Sequence, residues 1–255
     1  MKGDPVYRGV IRVFRVVFRM LGLRFTLRGL DNVPTDGPAV LACNHLSYLD
    51  FTFVGLAATH RRRLVRFMAK QSVFDNRVSG PLMRAMRHIP VDRASGAAAY
   101  RRAARAVAAG ELVGIFPEAT ISRSWELKSF KLGAATLAVR EQVPLVPVVL
   151  WGAQRTFTTD KRYSFGRGKA ITVALGAPIV AAPTDSPLDV DAELRRRMQE
   201  LLDAARRDYP DVPTCADDRW WLPASCGGTA PSLDRAAELE AAATARRAAR
   251  NTARA

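Results

Sequence analysis

Short apolar runs alternate along this chain with segments of helical character, and this alternation constrains the fold more than any other feature. Strands are expected at 39–43, 64–69, 112–116, 143–150 and 170–175. Helices are expected at 51–59, 78–87, 94–109, 129–139 and 191–207. Short apolar strands that alternate with helices predict an α/β fold, with a mostly parallel central sheet flanked by helices. Two prolines in the 143–150 run predict a strand of irregular or edge character there.

The N-terminal stretch 5–21 has its own pattern, because arginine recurs in it every three or four positions. On a helix, one narrow stripe would contain Arg8, Arg12, Arg15 and Arg19, and the opposite arc Val10, Val13, Phe14, Val17, Phe18 and Leu21. Strong amphipathicity with a single sign of charge is typical of a helix that lies in a membrane interface. We therefore expect an N-terminal amphipathic membrane-interface helix; a soluble helix packed on the core is the alternative.

The 255 residues carry a formal net charge of +15, which implies an anionic partner. Composition alone leaves nucleic acid, acidic lipid headgroups and a phosphorylated substrate open. The cysteines Cys43, Cys215 and Cys226 form no CxxC pair, so neither a zinc site nor a disulfide framework is expected. The sequence shows neither a long uninterrupted apolar run nor a signal-peptide pattern, so we expect no spanning helix and a reducing compartment.

The stretch 44–50 follows the strand predicted at 39–43 and contains His45 and Asp50. A strand end, a turn and a helix start bring these two side chains together better than one regular helix would. Ser47 is expected to cap that helix, with Asp50 in its first turn. The carboxylate can then fix the tautomer of the imidazole, whose other nitrogen can take a proton from a hydroxyl. Taken alone, this spacing also fits an incidental histidine before a capped helix.

Two further strand ends carry groups suited to an anionic ligand. Arg93 lies just past the strand end at 89–91, where a guanidinium is well placed for a phosphate. Glu118 and Thr120 follow another strand, at the edge where open α/β sheets bind ligands. Lys128 lies near the start of the next helix, whose N-terminus also favours anions. Taken singly, a surface ion pair and a polar loop are the commoner interpretations of these segments.

In their order and spacing, four blocks resemble the lysophospholipid acyltransferase family, in particular its bacterial 1-acylglycerol-3-phosphate O-acyltransferase type. The blocks are 44–50, 89–93, 116–120 and 143–148. Lys70 is similar to the lysine that the family has ahead of its second motif. One block would be a weak signal, whereas four in this order make the resemblance specific.

The resemblance implies a role for each matching residue. It assigns catalysis to His45 and Asp50, and acceptor binding to Lys70, Arg93, Glu118 and Thr120. The third motif departs from the family pattern, because Ala119 replaces a glycine and Ile121 replaces an arginine. Arg123 or Lys128 would have to substitute for the missing guanidinium, so the departure bears on which acceptor is used.

The chain is expected to comprise three parts. These are an amphipathic membrane-associating helix at 1–28, an acyltransferase domain at 29–209, and an extension with a basic Ala/Arg-rich tail at 210–255. The family fold implies a basic groove for the acceptor and an apolar tunnel for the acyl chain, with 143–148 as a tunnel wall or simply as core. We expect a peripheral protein on the cytoplasmic face of the cell membrane.

Three functions follow from these features. The first is transfer of a fatty acyl chain from acyl-CoA or acyl-carrier protein to the free hydroxyl of 1-acylglycerol 3-phosphate, giving phosphatidic acid in phospholipid biosynthesis without a cofactor or metal. The second is the same chemistry on another lysolipid, glycerol 3-phosphate or a glycolipid. The third is a non-catalytic basic protein that binds membranes or nucleic acid. The third explains the charge but leaves the four motifs as coincidence, so no nucleic-acid partner is expected.

Overall fold

The computed structural model describes residues 4–92, 96–160, 164 and 166–252. Within these residues, the helices are α1 (Pro5–Met20), α2 (Asp50–Thr59), α3 (Gln71–Asp75), α4 (Ser79–Ala85), α5 (Gly96–Ala108), α6 (Gly133–Glu141), α7 (Pro187–Arg207) and α8 (Leu233–Thr252). The strands are β1 (Arg24–Arg28), β2 (Ala39–Cys43), β3 (Val65–Lys70), β4 (Ile89–Val91), β5 (Leu112–Ile115), β6 (Leu145–Trp151) and β7 (Ala170–Leu175).

In the described part of the chain, the strands form one seven-stranded sheet in the order β1-β7-β6-β2-β5-β3-β4. Every neighbouring pair is parallel except β6 and β7, which are antiparallel. The central strands β2 and β6 are buried along their whole length, as expected for a sheet covered on both faces. The prediction of an α/β fold with a mostly parallel sheet flanked by helices is therefore confirmed.

The expectation of edge character for the strand at 143–150 is wrong. β6 lies in the interior of the sheet, between β2 and β7. Pro147 is tolerated there because of the direction in which its backbone nitrogen points. The N–H of Leu145 and the C=O of Pro147 both bond towards the β7 side, to Ile179 and Gly176. The missing N–H of Pro147 therefore lies on the β7 side, beyond the last paired residues of β6 and β7, and the parallel ladder that β6 forms with β2 does not need it. Because β6 is buried throughout, its residues form core.

The predicted boundary after residue 28 does not coincide with the edge of the sheet. Residues 24–28 form β1, which pairs in parallel with β7 from Arg24–Ala170 to Arg28–Ala174. Phe25 and Leu27 pack against the core, whereas both terminal arginines of the strand are exposed. The α/β unit therefore begins at β1, inside the segment that the sequence assigns to a membrane-associating helix.

The amphipathic helix α1 has two apolar edges with different surroundings. Tyr7 and Phe18 are buried, and the ring centroid of Phe18 lies 5.1 Å from that of Phe53 in α2. On the other edge, Val13 is 62% exposed and Met20 is 65% exposed. One edge thus packs on the core, as the soluble alternative requires, while the second edge and the arginine stripe face outward. No helix in the described ranges is both long and apolar enough to cross a bilayer.

The segment after residue 209 packs against the α/β unit. Trp221 is buried, and its backbone oxygen accepts a hydrogen bond of 3.0 Å from Gln154 Nε2. The indole N–H of Trp125 donates in the same way to the backbone oxygen of Trp220, at 2.9 Å. The Ala/Arg-rich tail forms α8, and its Ala236 is buried.

Candidate active site

The candidate site lies where neighbouring parallel strands end. His45 follows β2, Glu118 follows the adjacent β5, and Lys70 ends β3 on the far side of β5. Because parallel strands present their carboxyl ends at the same edge of a sheet, these side chains share that edge. Arg93, which follows β4, lies outside the described residues.

The first pair of groups is His45 and Asp50. Asp50 is the first residue of α2, and its side chain is fully buried. Its Oδ2 atom accepts three hydrogen bonds: from His45 Nδ1 at 2.9 Å, from the backbone N–H of Leu46 at 2.6 Å, and from that of Ser47 at 2.8 Å. Burial raises the pKa of Asp50, although these hydrogen bonds oppose the rise. An ionised carboxylate only accepts, so Nδ1 carries the proton and Nε2 is the basic nitrogen.

Ser47 fixes the turn between β2 and α2, but it does not cap α2 as the sequence suggested. The N-cap position belongs to Leu49, and the helix has no side-chain cap. The hydroxyl of Ser47 instead donates to the backbone oxygen of Phe157 at 2.6 Å and accepts from the N–H of Leu49 at 3.1 Å. The N–H of Tyr48 also donates to the Phe157 oxygen, at 2.9 Å. The turn is thus held by a loop more than 100 residues away in sequence.

The imidazole ring of His45 also has a packing partner. The ring of Phe116 stacks on it, with a centroid distance of 4.3 Å and an interplanar angle of 25°. Phe67 of β3 in turn stacks on Phe116 at 5.9 Å. The side chain of His45 remains 21% exposed, so the imidazole is oriented by packing and still reaches solvent.

Glu118 is buried and holds two segments of backbone together. Its Oε1 accepts from the N–H of His45 at 2.9 Å, and its Oε2 accepts from the N–H of Lys128 at 3.1 Å. Burial raises the pKa of this carboxyl group from 4.5 to about 7. The sequence places Glu118 on the acceptor, whereas the structure shows both of its oxygens engaged by main chain. In this arrangement the residue positions His45 relative to the loop that follows β5.

Thr120 and Lys128 meet in the same loop. The ammonium group of Lys128 donates to the hydroxyl of Thr120. A residue that the sequence analysis did not consider joins them: the carboxylate of Glu240 in α8 accepts from the Thr120 hydroxyl, and its Oε2 lies 3.1 Å from Lys128 Nζ. Arg123, the other candidate substitute for the missing guanidinium, forms an ion pair with Asp160.

The two departures from the family motif have clear structural settings. Ala119 has a backbone φ of +60°, a left-handed conformation that favours glycine and strains an alanine. Ile121 is only 7% exposed and belongs to the main hydrophobic core. A guanidinium at position 121 would therefore enter apolar surroundings unless the loop changed. The side chain of Lys70 is exposed at the end of β3.

The residues that the structure describes at this edge do not form a set of metal ligands. Among the described residues, no group of three or more His, Cys, Asp or Glu side chains is placed to hold a metal ion. The groups that the structure does assemble are an imidazole with its carboxylate, and a lysine and threonine pair linked to them through Glu118.

A family model described as Acyltransferase matches residues 24–151. Among curated proteins, the chain is 31% identical over 181 residues to the chloroplastic 1-acyl-sn-glycerol-3-phosphate acyltransferase BAT2 of Brassica napus, covering 69% of this chain and 50% of that protein. It is 30% identical over 178 residues to the 1-acyl-sn-glycerol-3-phosphate acyltransferase of Bacillus subtilis, covering 67% of this chain and 84% of that protein. The chain thus spans about half the length of the plant relative and most of the bacterial one.

The fold is similar to that of a solved structure. The 1-acyl-sn-glycerophosphate (LPA) acyltransferase PlsC from Thermotoga maritima superposes with a TM-score of 0.64 and 22% sequence identity, over 77% of this chain and 78% of that one. The matched stretch 24–151 runs from β1 to the end of β6 and includes both the His45–Asp50 pair and the Glu118 loop. The chain therefore belongs to the acyltransferase family that its four sequence motifs predict.

Proposed function

We propose that this chain transfers a fatty acyl chain from an acyl thioester to the free hydroxyl of 1-acylglycerol 3-phosphate, giving phosphatidic acid for phospholipid biosynthesis. The relatives named above carry this acceptor in their names. The observation that carries the proposal is the hydrogen bond of 2.9 Å between His45 Nδ1 and the buried Asp50 carboxylate. That contact leaves Nε2 as a general base at the open edge of the sheet.

The reaction needs no nucleophile from the protein. Nε2 of His45 takes the proton of the acceptor hydroxyl as its oxygen attacks the thioester carbonyl carbon. Asp50 stabilises the imidazolium that forms, because its carboxylate lies against Nδ1–H. When the tetrahedral intermediate collapses, the C–S bond breaks and the leaving thiolate takes the proton from the imidazolium. The products are the new ester and the free thiol of the carrier.

The phosphate of the acceptor binds beside this base. Lys128 and Thr120 supply an ammonium and a hydroxyl, a pair of donors that suits a phosphate oxygen. Glu118 connects them to the reaction centre, because one carboxylate holds the backbone N–H groups of both Lys128 and His45. Lys70 and Arg93 complete the acceptor site in this proposal. The acyl donor is acyl-CoA or acyl-carrier protein, used as a co-substrate without a cofactor.

An acceptor that resides in a bilayer requires the protein to meet the membrane surface, and α1 offers a means. Its outward edge exposes Val13, Val16 and Met20. The exposed arginine stripe lies beside this edge and can contact anionic lipid phosphates, each arginine contributing about 1 kcal/mol near such a surface. The protein then sits peripherally on the cytoplasmic face of the cell membrane.

Radiolabelled acyl transfer tests the reaction. Purified protein is supplied with acyl-CoA or acyl-carrier protein and with a panel of acceptors: 1-acylglycerol 3-phosphate, other lysolipids, glycerol 3-phosphate and a glycolipid. Turnover is expected with 1-acylglycerol 3-phosphate, and His45→Ala should reduce it by about 10²- to 10⁴-fold. His60→Ala is the matched control, because His60 is an exposed histidine at the end of α2. Near-normal turnover in folded His45→Ala, or preference for another acceptor, would overturn the proposal.

Vesicle co-sedimentation tests the membrane surface. The double variant Val13→Asp with Met20→Asp places two charges on the outward edge of α1 without entering the core. It should bind anionic vesicles more weakly than wild type, and high salt should weaken both, since the Debye length falls to about 3 Å at 1 M. Val180→Asp with Val212→Asp is the control, because both valines are exposed elsewhere. Equal losses in the two double variants would assign the membrane contact to another surface.

A further inference from the structure

The C-terminal helix α8 places a carboxylate on the two groups proposed to bind the acceptor phosphate. Glu240 accepts from the hydroxyl of Thr120, and its two oxygens lie 3.3 and 3.1 Å from Lys128 Nζ. These contacts use the donors that a phosphate monoester would need. Glu240 and a phosphate therefore cannot occupy this position together.

The position is close to the reaction centre. Lys128 and His45 donate their backbone N–H groups to the two oxygens of Glu118, at 3.1 and 2.9 Å. Only one carboxylate group thus separates the main chain of the lysine from the main chain of the base. In the proposed function, the glycerol of an acceptor whose phosphate is on Lys128 extends towards the imidazole.

Glu240 remains charged in this setting. Burial by itself would raise the pKa of its carboxyl group, but the hydrogen bonds from Thr120 and Lys128 and the nearby charge of Arg123 leave that pKa lowered. At neutral pH the contact is therefore a carboxylate with an ammonium and a hydroxyl. Its anionic character and its hydrogen-bond acceptors match those of a phosphate.

Among its described side chains, the helix that carries Glu240 is held along one edge. Ala236 is buried, and Leu239, Glu240 and Ala243 are half-buried, at the spacing of one helical face. The other side chains described in α8 are exposed, including the surface ion pair of Arg235 with Glu238. Small side chains form much of the contact, so α8 can leave this surface without opening the main core.

We propose that Glu240 is an internal competitor of the acceptor phosphate, and that α8 moves off the Lys128–Thr120 pair when a phosphorylated acceptor binds. The proposal depends on the function proposed above, in which these two residues bind that phosphate. The apparent affinity for the acceptor then equals its intrinsic affinity multiplied by the fraction of molecules in which α8 is displaced. Donor binding and the chemical step, which do not use this pair, are not affected in the same way.

Kinetics of Glu240→Gln test the competition. Removing the charge should lower the KM for 1-acylglycerol 3-phosphate by roughly 3- to 30-fold. This range corresponds to an ion pair that is stronger than a fully exposed one and weaker than a well-buried one. The donor KM should stay unchanged. Glu238→Gln is the matched control, since it removes a carboxylate from the exposed face of the same helix. Glu240→Ala should behave like Glu240→Gln.

A binding measurement separates this inference from the proposed function. Glycerol 3-phosphate is titrated into wild type, Glu240→Gln and Glu238→Gln, with glycerol as the probe that lacks phosphate. Tighter binding of glycerol 3-phosphate to Glu240→Gln alone supports the competition even if turnover favours another acceptor. Equal affinities in all three proteins, or weaker binding to Glu240→Gln, would overturn it. Failure of wild type to acylate 1-acylglycerol 3-phosphate would count against the proposed function only.

Discussion

Glu118→Gln should change the pH dependence of stability in a way that can be worked out from the structure. The carboxylate is buried and accepts one backbone N–H on each oxygen, from His45 and from Lys128. A glutamine at this position has one acceptor oxygen, so its NH₂ group would face one of the two N–H donors. The substitution thus leaves a buried backbone donor unpaired, which destabilises the fold by roughly 1–3 kcal/mol at any pH.

The titration of the Glu118 carboxyl group has a second effect, which narrows the stability difference between wild type and variant as the pH rises. Because burial raises the pKa of Glu118 from 4.5 to about 7, the folded chain binds a proton more tightly than the unfolded chain. The stability that this proton provides is present at low pH and is lost as the pH rises through about 7. Between pH 5.5 and 8.5, wild type should lose about 2 kcal/mol through this group alone. Glutamine does not titrate, so the variant should not show this loss.

Urea unfolding at pH 5.5, 7 and 8.5 measures the difference. Glu118→Gln should be clearly less stable than wild type at pH 5.5, and the gap should narrow by about 2 kcal/mol at pH 8.5, equivalent to about 4–8 °C in Tm. Glu200→Gln, an exposed glutamate of α7, is the control and should show a constant difference from wild type. A gap for Glu118→Gln that stays constant or widens with pH would refute the reasoning. Other titrating groups are common to both proteins and cancel.

Three further predictions concern catalysis, acid stability and packing. Asp50→Asn can keep its amide oxygen in the place of Oδ2, so Tm should change little. The kcat should fall by about 10²- to 10³-fold, because the charge that faces the His45 imidazolium is lost. Near-normal kcat would contradict this. Burial lowers the pKa of His88 from 6.5 to about 3, so its contribution to stability is present above pH 6.5 and is lost on acidification. Urea unfolding at pH 7 and 5 should show wild type losing about 2 kcal/mol more than His88→Gln; equal losses would count against it. Gly114→Ala would place a methyl carbon 2.4 Å from the Phe67 ring, so unfolding should show a loss of about 1–3 kcal/mol; an unchanged Tm would disprove this.

Much of the sheet was predictable because several of its strands can be recognised from their own local sequence. β2 and β7 have the bounds expected from their apolar runs, 39–43 and 170–175. These strands are buried on both faces, so their sequences are continuous apolar stretches that need no knowledge of their neighbours. The pairing of His45 with Asp50 was predictable for a similar reason, since all of its parts lie within one turn.

The features of the sheet that were not predicted depend on neighbouring strands. β1 mixes Phe25 and Leu27 with polar residues and becomes a strand only because β7 is available to pair with it. The position of β6 was misjudged because two prolines usually indicate an edge. Pro147 escapes that rule because its N–H would point away from β2, at the end of the β6–β7 ladder, so the parallel ladder with β2 is unbroken.

The contacts that support the site could not be predicted from local sequence patterns either. Glu118 is 73 residues from the backbone N–H that it accepts, and Glu240 is 120 residues from Thr120. Glu240 lies in an Ala/Arg-rich segment whose composition indicates a basic tail and gives no sign of a contact with the site. Only the folded chain brings these carboxylates to the edge where β2 and β5 end.

The geometry around Asp50 gives a physical reason for the five-residue spacing between His45 and Asp50. Leu46 and Ser47 donate their backbone N–H groups to the same carboxylate oxygen as the imidazole, so the turn that separates the two residues also binds the carboxylate. Glu118 holds the N–H of His45 from the neighbouring strand end, which fixes the start of that turn. The position of the imidazole is therefore set by main chain on both sides, and the side-chain contact completes an arrangement that the backbone has already made. One residue more or fewer in the turn would move either the two donors or the carboxylate, and the histidine would lose its orientation although both side chains were still present.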